Sequence, residues 1–150
     1  MPTLFILLSL FAALIPFSSA QAQSPSAAAA LDRAQSAKTL GDALIALGVA
    51  NPEPGPRVLL EAPDIAIAGR LIQVKATSRI PGTDWIALFV DRGNAPLLGL
   101  SEFTAGVDHE LTASLKLDQT SRVHAIVRSG GKYYRVIREI KVARPDGFSR

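Results

Sequence analysis

The hydrophobic rhythm of the chain takes three forms along its length. Leu4 to Phe17 is an almost unbroken apolar run, interrupted only by Ser9 and Pro16. A helical period follows: Leu40, Ala43, Leu44 and Leu47 fall at i, i+3, i+4 and i+7 and draw one stripe down a short helix. From Arg57 onward the period is two. Val58 and Leu60 alternate with Arg57, Leu59 and Glu61. Ile72, Val74 and Ala76 alternate with Gln73, Lys75 and Thr77. Leu111, Ala113, Leu115 and Leu117 alternate with Thr112, Ser114, Lys116 and Asp118. Such alternation marks half-buried strands. Val123, Ala125 and Val127 make another face, opposite His124, Ile126 and Arg128, and the phase of His124 places it at an exposed or partner-facing position. Trp85 to Val90 is continuously apolar, as expected of a strand covered on both sides. In the last strand Tyr134, Val136, Ile140 and Val142 share a phase that Arg138 interrupts.

Punctuation supports these elements. Thr39 is an N-cap with Asp42 three residues on, and Gly48 is a suitable stop. So short a helix does not stand alone in water, so its stripe must pack on something. The Ala- and Ser-rich stretch 23–38 reads as a spacer, partly helical, and Pro52, Pro54 and Pro56 as a stiff connector. Pro63-Asp64 breaks a strand, Pro81-Gly82 makes a turn, Asp91–Asn94 closes the apolar strand, Leu98–Phe103 suits a short one, and Ser129–Lys132 is a hairpin. About seven short strands without βαβ alternation predict an all-β fold: an immunoglobulin-like antiparallel β-sandwich with a short N-terminal helix.

The apolar opening changes the reading of the first residues. The first 22 contain no charged side chain, the run is too short to span a bilayer, and Ala20-Gln21-Ala22 suits signal peptidase. The n-region is only Met1-Pro2-Thr3, shorter than the usual pattern. The organisation expected is therefore a signal peptide over 1–22, a spacer, helix and connector over 23–56, a sandwich over 57–144 and a flexible tail over 145–150. The mature protein is expected in the periplasm, without a stable membrane span.

Composition removes several chemistries. The 150 residues hold no cysteine, which excludes thiol catalysis, thiolate metal sites and iron–sulfur clusters within them. The net charge of +3 is mild, and no basic-aromatic module suggests nucleic acid. His109, between Asp108 and Glu110, matches no ligand spacing. No Gly-x-Ser-x-Gly elbow or phosphate-cradling loop is present. The residues thus give no catalytic, metal or cofactor site. A basic cluster remains on the last two strands: Arg128, Lys132, Arg135, Arg138, Lys141 and Arg144. Its simplest reading is a charged, solvated strand edge. Its functional reading, with Tyr133 as an aromatic anchor, is a face for an acidic partner or an oxyanion. Arg138 decides between them, because its inward phase demands a bulge, a carboxylate partner or a bound anion. Trp85 reads as core, and of Tyr133 and Tyr134 one ring is expected buried and the other exposed.

Several segments, taken in order, resemble the SoxY subunit of the SoxYZ sulfur carrier of thiosulfate oxidation. They are Asp42-Ala43-Leu44-Ile45-Ala46-Leu47-Gly48, Val58-Leu59-Leu60-Glu61-Ala62-Pro63-Asp64-Ile65-Ala66, Gly69-Arg70-Leu71-Ile72-Gln73-Val74, Gly131-Lys132-Tyr133-Tyr134 and Glu139-Ile140-Lys141-Val142. The resemblance implies an immunoglobulin-like sandwich, export and a SoxZ-like companion subunit. It also implies a C-terminal Gly-Gly-Cys-Gly-Gly arm whose cysteine carries the sulfur adduct. Here Arg144, Pro145, Asp146, Gly147 and Phe148 stand in the place of that arm. A hydroxyl such as Ser149 does not replace a polarisable thiolate. The expected function is docking without catalysis and without a sulfur adduct. The alternatives are a periplasmic module for an anionic ligand or an exported dehydrogenase, and a carrier whose reading frame is lost after Val142.

Overall fold

The computed structural model describes residues 26–93 and 95–145. The apolar opening run and most of the C-terminal tail lie outside the described residues. Two helices, α1 (Ala27–Ser36) and α2 (Leu40–Ala46), precede nine strands: β1 (Glu53–Pro54), β2 (Val58–Glu61), β3 (Ile65–Ile67), β4 (Leu71–Ser78), β5 (Thr83–Val90), β6 (Leu97–Glu102), β7 (Glu110–Lys116), β8 (Ser121–Ser129) and β9 (Lys132–Ala143).

The strands form two sheets. The larger has the order β1-β9-β8-β5-β6, with β3 also paired to β9, and the smaller is β2-β4-β7. Val58, Leu60, Val74, Ala76 and Leu115 from the small sheet meet Ile86, Leu88, Val123, Ala125, Val127 and Ile140 from the large one. These are the inward phases that the period of two predicts, and together they make the sandwich core. Most pairs are antiparallel. Two are not: β1 runs parallel to β9 at Tyr134–Arg135, and β3 runs parallel to it at Lys141–Ala143.

A third layer explains β5. Ala43 of α2 is fully buried against Trp85, Ala87, Phe89 and Ile126, with Leu40, Leu44 and Leu47 around it. The helical stripe therefore packs on the outer face of the large sheet, and both β5 and its neighbour β8 are covered on two sides. Thr39 Oγ1 accepts from the Asp42 N–H at 3.1 Å, which fixes the start of α2. At the β8–β9 hairpin Gly130 and Gly131 have φ of 58° and 77°, the left-handed pair that a tight two-residue turn requires.

Four expectations need correction. There are nine strands among the described residues, because the Pro-rich connector contains β1 and the residues after Pro63-Asp64 form β3. The last two strands are a sheet edge only in part, since β1 pairs with β9 at 134–135 and β3 at 141–143, and among the described residues 136–140 have no strand partner on that side. His124 is not exposed but only 7% accessible, because the helix layer makes its face of β8 a second interior. Tyr133 and Tyr134 do not divide into one exposed and one buried ring: both are half-buried, on opposite faces.

Candidate functional site

Strand β9 divides the basic cluster between its two faces. Tyr133, Arg135, Ile137, Glu139 and Lys141 point to the helix side, whereas Tyr134, Val136, Arg138, Ile140 and Val142 point toward the small sheet. Arg128 of β8 joins the helix-side set, opposite Tyr133 and beside Trp85. Tyr133 packs against Trp85 in a tilted arrangement, with ring centroids 5.9 Å apart and planes at 51°. Arg128 Nε lies 3.9 Å from Asp84 Oδ2. Lys132 is exposed at the hairpin, opposite Ser129. Eight residues separate Tyr133 from Lys141, roughly 26 Å along a strand. The helix-side cations are therefore strung along a strip and do not converge on one point.

Arg138 takes the opposite direction. The β8–β9 register runs unbroken from Ser121–Ile140 to Ser129–Lys132, so no bulge relieves its inward phase. Its Nη2 donates to Asp64 Oδ1 at 2.8 Å, and its Nη1 donates to the Leu60 carbonyl at 3.4 Å. Of the three ways out that the sequence poses, the carboxylate partner is the one adopted. The guanidinium spans the open side of the sandwich, between the free edge of β2 and the start of β3.

His124 sits between Phe89 of β5 and Ile137 of β9. Its Nδ1 is buried and, among the described residues, has no hydrogen-bond partner. Burial holds its pKa below the usual 6.5, nearby Arg135 and Arg122 push the same way, and Asp91 opposes them. The sequence signal for this position was indirect: a strand covered on both faces implies that the strand beside it shares the cover. His109 is half-buried and meets Phe103 edge-on, with centroids 5.2 Å apart. Among the described residues no group of three or more His, Asp or Glu side chains is placed to hold a metal. An open cleft of about 610 Å³ lies between α1 and the large sheet, over Trp85, with Arg128 and Glu102 as its charged lining. At the C-terminal end Arg144 and Pro145 are exposed. Asp146, Gly147 and Phe148 lie outside the described residues.

The fold is thus a helix-backed immunoglobulin-like sandwich, and the features that set it apart lie on its surface. The model of the sulfur oxidation protein SoxY matches residues 45–144, more than half of the chain, and the chain belongs to that family. Among solved structures it is similar to the sulfur carrier protein SoxY from Chlorobium limicola f thiosulfatophilum, at 27% identity and a TM-score of 0.65, covering 70% of this chain and 96% of that one. It is also similar to a chain in the complex of zinc 2-glycoprotein and prolactin inducible protein from human seminal plasma, at 7% identity and a TM-score of 0.42, covering 59% and 95%. No curated protein sequence matches the chain.

Proposed function

We propose that this SoxY-family protein acts in the periplasm as a docking subunit of sulfur-compound oxidation and carries no sulfur adduct itself. The observation that carries this reading is the intact family sandwich combined with the absence of cysteine from all 150 residues. Persulfide chemistry needs a thiolate, both to attack and to hold the adduct. The residues that follow β9 directly are Arg144-Pro145-Asp146-Gly147-Phe148, bulkier and stiffer than a glycine arm. What the sandwich retains is surface: a strand edge, exposed aliphatic side chains and a basic strip.

One further point supports the reading. The apolar opening run has the length of an export signal's core and is followed by Ala20-Gln21-Ala22, which suits signal peptidase. The partner expected is a SoxZ-like companion subunit. Mixing the processed chain with the purified companion from the same genome, and following binding by calorimetry, tests the proposal. Saturable binding supports it. Absence of binding at tens of micromolar protein, about the weakest affinity useful for assembly, contradicts it.

A further inference from the structure

Strand β3 is a short edge whose own side chains carry no charge, and the outward carbonyl of Ile67 already accepts from the Arg70 N–H at 3.0 Å. It pairs with β9 on one side, and among the described residues nothing pairs on the other. The Lys141 N–H donates to the Asp64 carbonyl, and the Ala68 N–H donates to the Ala143 carbonyl, each at 2.9 Å. These bonds use the even-numbered main-chain groups, so those of Ile65 point outward. Exposed edges are normally blunted by shortness, charge, proline or a covering loop; β3 is short and follows Pro63-Asp64, but bears no charge of its own. Here the strand is Ile-Ala-Ile, with Ile65 65% and Ile67 43% exposed. The neighbouring free edge of β2 is treated differently, since its Leu60 carbonyl is taken by Arg138.

The surroundings are basic. Lys141 lies in register beside Ile65, and Arg144 follows the residue opposite Ile67. Arg70 sits in the turn after β3, and Lys116 pairs with Leu71 just beyond it. Against these four stand the exposed Asp118 and Glu139, because Asp64 is held by Arg138. The edge also lies at the root of the C-terminal segment, since Ala143, opposite Ile67, ends β9.

We infer that the β3 edge is the seam at which the companion subunit docks, adding an extended strand that is apolar toward Ile65 and Ile67 and acidic toward Lys141 and Arg144. Strand addition of this kind takes its affinity from main-chain hydrogen bonds and its specificity from alternate side chains. This inference rests on the docking reading above and names the surface that reading leaves open. It also places the companion beside the position of the family's carrier arm.

The experiment measures the affinity of the purified SoxZ-like companion for the wild-type chain and for Ile65→Lys, Ile67→Lys, Lys141→Glu and Ile45→Lys. Ile45, 76% exposed on α2, is the control. Circular dichroism and Trp85 emission check that each variant folds. The expected result is a loss of at least about tenfold for Ile65→Lys, Ile67→Lys and Lys141→Glu, and wild-type affinity for Ile45→Lys. Wild-type affinity in all four variants would overturn the seam and leave the docking reading standing. No binding by the wild type would overturn both. Sedimentation showing a wild-type dimer that Ile67→Lys dissociates would overturn the companion as occupant, because the edge would then be covered by a second copy.

Discussion

Arg138 donates to Asp64 at 2.8 Å across 74 residues of sequence, from a strand position whose phase points into the sandwich. A cation on an inward phase would be costly if fully enclosed. Here the side chain emerges at the open side between the sheets and keeps 41% of its surface in water. The pair ties β9 to the start of β3, and the second bond reaches β2. One residue thus bridges β9, the start of β3 and β2 on the open side of the sandwich.

Because Asp64 is 84% exposed, the pair should be weak. A double-mutant cycle with Arg138→Ala and Asp64→Ala is expected to give a coupling of about 0.2–1 kcal/mol by urea unfolding, falling as salt is raised. The same occupancy predicts that thiosulfate or sulfate titrated into the wild-type protein gives no saturable heat. Anion binding lost in Arg138→Ala would show that the guanidinium serves a ligand instead.

His124 makes stability depend on pH in a defined direction. Its folded-state pKa lies below 6.5, so as pH falls the unfolded chain takes up its proton first. The folded state is then disfavoured, and the stability present above pH 6.5 is lost as pH falls through the lower, folded value. Urea midpoints should drop as pH falls below 6.5, and His124→Leu should flatten that part of the profile. An unchanged slope in the variant would assign the dependence to other groups.

The helix layer covers an interior and not merely a surface. Phe89 has no accessible area, so Phe89→Ala should cost about 3–5 kcal/mol. Trp85 is the one tryptophan of the chain and is 7% exposed. Removing residues 26–47 should shift its emission to the red and bring aggregation, since Trp85, Phe89 and Ile126 would then face water.

Gly55 is constrained by space. A Cβ placed there would lie 3.0 Å from Val58 Cγ2 and 3.2 Å from Tyr134 Cβ. Gly55→Ala should therefore destabilise by about 1–3 kcal/mol through displacement of β1 from β9, measurable as a lowered urea midpoint at unchanged m-value.

How much of this was legible in the sequence depends on what kind of contact formed each element. β4, β7 and β8 could be read because alternate side chains enter one core, and α2 because its stripe and Thr39 cap are local. β1 and β3 could not. They are two and three residues long, within or just after proline-containing stretches, and held to β9 by main-chain bonds that leave no period of two. The burial of His124 required knowing that α2, some eighty residues earlier, lies across β5 and β8. For Arg138 the phase posed the question correctly, but the answer lay in Asp64, which local pattern does not connect to it. The basic residues were identifiable individually, while their division between two faces became evident only with the register of β9.

The most direct test is native mass spectrometry of the processed chain recovered from cells that are oxidising thiosulfate. The result expected is a complex with the companion subunit in which this chain has the mass of its polypeptide alone. A covalent sulfur addition on the chain, or a chain found without the companion, would contradict the account.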